Sequence, residues 1–364
     1  ERAHADAARG AATDEVPVPS TLIADLLSSN PRSSGDVRAA ADELRLKIEL
    51  AIVVDGPDGP SLERHAFDAG PDYFYPASSV KTCAAIAALV RLDLIERETG
   101  AAVSRDTPLR YLPLFEDETV EEGDPSHVAG GTITAAHDIR KVFLVSDNAA
   151  YNRLYELAGN SVVNGVMRSA GLERCRIFHR LSEFRSPEDQ LRSPSVELLG
   201  ADGAVLATLP ERTSRFAETN DDLTGITFGL GHTDGGAIVD GPMSFRRKNW
   251  IALRDLLDLN VMLLRPDIAL EGRAGLPLAT SDREFIAAAM ASTPGASIDP
   301  LYDPASYPDD YAKLLLPGLH EVRPLEELVV RDKVGRAYGI STTNSQVSDL
   351  RTGRSFFLAA TLYT

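Results

Sequence analysis

Ser78-Ser79-Val80-Lys81 sets a hydroxyl and an amine three residues apart at the head of an apolar stretch. A serine hydroxyl is a poor nucleophile until a base takes its proton, and on a helix a residue three positions on lies one turn away on the same face. The pattern points to a lysine-activated serine that attacks a carbonyl carbon. Two further polar clusters follow, Ser146-Asp147-Asn148 and Lys333-Val334-Gly335. The remaining lysines are only Lys47, Lys141, Lys248 and Lys313, and arginine supplies the rest of the positive charge. Arginine does not give up its proton in a protein, whereas lysine can be driven toward neutrality by burial. A lysine kept at position 81 is therefore suited to accept a proton.

These residues need elements to hold them. Residues 1–34 read as a flexible N-terminal arm. Val37, Ala40, Ala41 and Leu44 have helical spacing, so a first helix is predicted over 35–46. A β-branched run over 48–54, turn residues Asp55 to Gly59 and a return over 62–67 predict a hairpin. Residues 80–95 are apolar on nearly every face up to Gly100, which predicts an interior helix with Ser78 at its N-terminus. Helical periods over 133–144 and 149–157 flank Ser146-Asp147-Asn148, which reads as a loop between helices. Residues 186–245 change texture and read as an insertion with a hairpin at 196–199 and 205–209. Helices are predicted over 250–264 and 282–290, and strands over 328–332, 338–347 and 356–363, the last two joined through Thr352-Gly353. The domain reading is an α/β lobe from 35–95 and 325–364 and a mainly helical lobe over 96–324.

A chain of 364 residues with 43% hydrophobic content can bury a large core. Its net charge of -17 repels phosphate backbones, so nucleic acid is a poor partner. No apolar run is long enough to span a bilayer, and no transmembrane segment is expected. Cys83 and Cys175 are too few for a disulfide framework; one bridge between them is open, and the plainer reading is two unpaired buried thiols. His232-Thr233-Asp234 lacks a second cluster to complete a zinc site, His137 and His179 read as surface or capping residues, and Trp250 reads as core. No metal and no organic cofactor are expected.

Taken in order along the chain, the three polar clusters resemble the class A β-lactamases and the penicillin-binding serine DD-peptidases related to them. The resemblance covers residues 45–185 and 325–364. It implies an α/β (α+β) fold of the β-lactamase/transpeptidase type, an antiparallel sheet lobe flanked by helices against an all-helical lobe. It also implies roles. Ser78 is the nucleophile that becomes acylated, Lys81 takes or relays its proton, and Ser146 passes that proton to the leaving nitrogen. Lys333 holds Ser146 and the negative end of the substrate, Asn148 bonds the substrate amide, and Gly335 and Arg336 line the binding strand. The N–H groups of Ser78 and Arg336 would hold the oxyanion. Glu183 is the candidate that would activate water to release the acyl group.

The sequence departs from the family at Arg185-Ser186-Pro187, where a different continuation follows the glutamate, and at Val334, where the family has a hydroxyl residue. It ends after an apolar strand where the family adds a last helix; either that helix is missing from this sequence or the N-terminal arm substitutes for it. The resemblance implies an extracytoplasmic serine hydrolase, periplasmic or secreted, acting on a β-lactam or a related small-molecule or peptide-like amide. A DD-peptidase or esterase, and a non-catalytic binding protein on the same fold, are the competing expectations.

Overall fold

The structure, a computed structural model, describes residues 21–29, 37–70, 72–216, 218–234 and 237–364. Its frame is a five-stranded antiparallel sheet drawn from both ends of the sequence. The strands are β1 (Lys47–Gly56), β2 (Gly59–Phe67), β3 (Leu328–Ala337), β4 (Ile340–Asp349) and β5 (Ser355–Tyr363), in the order β3-β4-β5-β1-β2. Side chains alternate across a pleated strand, and Ser355, Phe357, Ala359 and Thr361 of β5 accordingly share one buried face. Ala51 lies opposite Phe357 in this register.

Helices cover that face and fill the other lobe: α1 (Thr21–Ser29), α2 (Lys81–Thr99), α3 (Ala135–Leu144), α4 (Asn148–Ala158), α5 (Asn160–Ser169), α6 (Leu253–Leu264) and α7 (Thr280–Ala291). Over residues 81–90 helix α2 is buried on every side, with Ala84 to Ala88 wholly buried, and it packs against α3, α4 and α5, while its last turn from Glu96 is exposed. Gly100 ends it with φ 72°, a left-handed conformation that glycine takes without a Cβ penalty. Helix α6 packs on β1, β4 and β5, tied by Asn260 Nδ2 donating to the Asn344 carbonyl at 2.9 Å.

The hairpins at 48–67 and 196–209, the interior helix and the three closing strands are where the pattern puts them. The second hairpin does not stand apart, because its first strand pairs with Leu109–Tyr111 to make a three-stranded sheet. Three readings are corrected. Residues 37–45 form successive turns rather than a helix, since Arg45 turns left-handed at φ 46° and Leu46 N–H closes on the Ala41 carbonyl. The arm read as flexible contains α1, whose Ile23, Leu26 and Leu27 share an apolar pocket with Ile48, Leu50 and Leu358 of the sheet. The rest of residues 1–34 lies outside the described residues. The strand predicted to stop at 332 runs on to Ala337, which carries Lys333-Val334-Gly335 within β3.

Candidate active site

β3 is an edge strand, and the 3-10 turn Ala77–Val80 packs against its open side. An edge strand presents backbone groups without a strand partner, and Lys333 Nζ uses one of them, donating to the Val334 carbonyl at 2.8 Å. N–H and C=O groups of alternate strand residues face the same side, so Arg336 directs its N–H off the same edge as Val334. Gly335 is required for this approach: a Cβ there would lie 2.3 Å from the Pro76 carbonyl and 2.9 Å from the Ser78 nitrogen. Ala77 takes φ 47°, a strained conformation for an L residue, at the start of the 3-10 turn that carries Ser78. Ser78 is half-buried and opens onto a cleft of about 680 Å³.

Ser146 also has positive φ, at 59°, in the short break between α3 and α4. Asp147 caps α4 by accepting from the Ala150 N–H at 2.8 Å, which makes Asn148 the first helical residue rather than part of the loop. These constraints turn the Ser146 hydroxyl toward two amines, Lys333 Nζ at 2.8 Å and Lys81 Nζ at 3.3 Å. Lys81 Nζ also donates to the carbonyls of Ser146 and, at 3.1 Å, Asp147, and to Asn148 Oδ1 at 2.6 Å. Both lysines are almost wholly buried, at 0% and 1% exposure. Burial is the main force on Lys81 and pushes its pKa well below the ordinary lysine range, aided by the charge of Lys333 and opposed by Asp147. Burial likewise lowers Lys333 to about 7, against the pull of Asp332. A hydroxyl between two such amines can accept from one and donate to the other once that one is neutral. The arrangement can therefore carry a proton across Ser146.

Glu183 lines the same cleft as Ser78, Asn148 and Arg336. Its carboxylate is already engaged: Arg185 Nε donates at 2.9 Å, Asn152 Nδ2 at 3.2 Å, and Arg180 Nε lies 3.7 Å away. Asn148 Nδ2 donates to Ser182 Oγ at 2.7 Å, so Ser182, at φ 56°, is the loop residue that meets the Ser146-Asp147-Asn148 break. Asn152 was not evident from sequence, although it lies four residues after Asn148 on one helix face. It pins the loop by accepting from the Leu181 N–H at 2.8 Å and donating to the Leu181 carbonyl at 3.1 Å. Arg247, Lys248 and Arg336 add positive charge to the cleft, and Tyr75, Phe178, Phe216 and Tyr338 add aromatic surface.

The histidines read as surface or capping residues are buried instead. His179 stacks on Tyr75, and burial together with Lys248 lowers its pKa to about 4. His137 is wholly enclosed although it begins a helix, because the loop before α3 folds over it. Among the described residues, the group of side chains close enough to share a metal ion is His127, His137 and Asp299, and none of these lines the cleft. Cys83 and Cys175 are free and buried, and Trp250 is buried.

A model of the beta-lactamase enzyme family matches residues 66–205. Over that segment the chain is similar to the beta-lactamase enzyme family. The family segment holds Ser78, Lys81, Ser146, Asn148 and Glu183, and β3 brings Lys333, Gly335 and Arg336 to it from the far end of the sequence. Among solved structures, the chain is similar to a beta-lactamase from Sphaerobacter thermophilus, at 17% identity and TM-score 0.47 over 90% of this chain and 85% of that one. It is also similar to a beta-lactamase from Burkholderia ambifaria, at 18% identity and TM-score 0.45 over 91% and 90%. A class A beta-lactamase from Clostridium kluyveri aligns at 13% identity and TM-score 0.45 over 89% and 87%. No curated protein matches the chain. No described helix is long and apolar enough to cross a membrane.

Proposed function

We propose that this protein is a beta-lactamase-like serine hydrolase that opens amides through an ester at Ser78, with acylation faster than release of the acyl group. The observation that carries the reading is the Ser146 hydroxyl held between Lys81 and Lys333, at 3.3 and 2.8 Å, beside the Ser78 turn. Ser78 Oγ would attack the carbonyl carbon as neutral Lys81 takes its proton. The oxyanion would lie against the N–H groups of Ser78 and Arg336, each such donor being worth roughly a hundred- to a thousand-fold in rate. The proton would then pass through Ser146 to the nitrogen as the C–N bond breaks, while Asn148 orients the substrate amide.

The cations Arg247, Lys248 and Arg336 favour an acyl donor with a negative end, such as the carboxylate of a β-lactam or of a cell-wall peptide. Arg336 would do for that end what Val334 cannot. With such substrates the protein would work outside the cytoplasm. A second reading, a DD-peptidase-like site that holds its acyl group, is favoured by the bonds on Glu183. A carboxylate whose two oxygens each already accept a hydrogen bond, from Arg185 and Asn152, is less free to take a proton from water.

Intact-mass spectrometry after mixing with benzylpenicillin tests both readings. An adduct on Ser78 that outlasts its formation by many minutes supports slow release, and rapid product with only a transient adduct means efficient hydrolysis. If neither benzylpenicillin nor an activated ester labels Ser78, the protein binds without catalysis and the proposal fails.

A further inference from the structure

His127 and His137 stack with ring centroids 4.4 Å apart and meet the carboxylate of Asp299 from a distant part of the sequence. The hydrogen bonds around the rings assign their protons. His127 Nδ1 lies 2.7 Å from the Thr132 carbonyl, which only accepts, so Nδ1 carries the hydrogen and Nε2 keeps a lone pair. Ser126 Oγ gives its own proton to Asp124 Oδ1 at 2.6 Å, so at 2.9 Å from His137 Nε2 it accepts, and the lone pair of His137 falls on Nδ1. Both lone pairs then face one carboxylate. His127 Nε2 is 3.4 Å from Asp299 Oδ2, and His137 Nδ1 is 3.6 Å from Asp299 Oδ1.

Three electron-rich atoms facing one another call for a cation between them. His137 is wholly buried and its Nδ1 has no hydrogen-bond partner. Arg140 reaches only to 3.7 Å from Asp299 Oδ2, too long for a hydrogen bond, and the Val128 N–H uses one lone pair of Oδ1 at 2.9 Å. Asp124 is not free to help, because Lys141 and Arg153 hold its other oxygen at 2.8 and 3.1 Å. Tetrahedral zinc with ligands at about 2.0–2.2 Å sets neighbouring donors roughly 3.3–3.6 Å apart, close to both histidine–carboxylate spacings here, and the three ligand atoms all lie within 4.8 Å of one another. Each ligating histidine also has the outer-shell partner that fixes its tautomer, a carbonyl for one and a serine for the other.

We propose that His127, His137 and Asp299 form a structural site for a borderline divalent metal such as zinc, with water completing the coordination. The ion would fasten the loop before α3 and the connection around Asp299 to the start of α3. From there Asp124, Lys141 and Asp147 lead by ion pairs of 2.8 and 3.4 Å to the break that carries Ser146. The site would steady that break without touching substrate.

The full chain, dialysed against EDTA, is titrated with Co2+ and then Zn2+. One equivalent of Co2+ per chain, seen as a visible ligand-field band and displaced by Zn2+, is expected, together with a rise in Tm. Asp299→Asn and His127→Gln should weaken uptake by at least about a hundredfold. X-ray absorption of the zinc-loaded wild type, which needs no variant, should give a nitrogen and oxygen shell with two imidazoles. No band and no Tm change in the wild type, uptake equal in both variants, or a shell with fewer than two imidazoles would overturn the site. None of these readouts depends on acylation of Ser78.

Discussion

Two regions, one buried behind Ser78 and Asn148 and one lining the cleft, are built on opposite electrostatic plans. Around Ser146 the ionisable groups are lysines, nearly sealed from water and pushed toward neutrality. Around Glu183 they are arginines and acids in mutual ion pairs: Arg185 bonds Glu183, Asp117 and Glu118 at 2.9, 2.8 and 3.0 Å, and Arg180 bonds Glu156 at 2.6 Å. Desolvation makes a proton acceptor of an amine, whereas a guanidinium partner occupies a carboxylate and fixes its place. One side is built to move a proton and the other to stay fixed. That contrast is why acylation is assigned to the first and slow release to the second.

The largest expected effect breaks the lysine side outright. Ser78→Ala should abolish the adduct, and Lys81→Met should slow acylation by about a hundred- to ten-thousand-fold, measured by stopped-flow with a chromogenic lactam. Gly335→Ala should slow acylation by more than about tenfold while the protein stays folded, because the new Cβ pushes β3 away from Pro76 and Ser78. On the other side, Glu183→Gln should change deacylation by less than about tenfold. Arg185→Ala should quicken deacylation by freeing the carboxylate, and a slower release in that variant would show that the ion pair positions a working base.

The smallest effect is on stability. Folded Lys333 and Lys313, at about 7 and about 8, bind protons more weakly than in the unfolded chain, where lysine stays near 10.5. Between those limits the unfolded state holds more protons, so stability rises with pH from about 7 to about 10 and is lost as pH falls through the folded values. Lys313 donates to the carbonyls of Met290 and Val330 away from the cleft. Tm measured across that range should rise less steeply in Lys313→Met than in the wild type.

The lysine side was legible in the sequence because each of its residues sits in a short local pattern. Ser78 and Lys81 share one turn, Ser146 marks a break between two periodic stretches, and lysine is scarce enough to stand out. Glu183 was found by its order in the chain, but its bonds to Asn152 and Arg185 depend on how a loop folds over α4, which spacing does not specify. The hairpins and interior helix follow from alternation and all-round apolarity. The turns at 37–45 resemble a helix in period and fail as one only because Arg45 reverses the backbone. His127, His137 and Asp299 were hidden for another reason: the third ligand arrives from the connection after α7, and nothing local announces it.

The pH dependence of the Ser78 acylation rate tests the central claim that buried, neutral lysine is the base. With Lys81 lowered by burial, the rate should rise with an apparent pKa well below the ordinary lysine value and level off before that value is reached. A rate that keeps climbing tenfold per pH unit up to about pH 10, as an ordinary lysine would dictate, would contradict it.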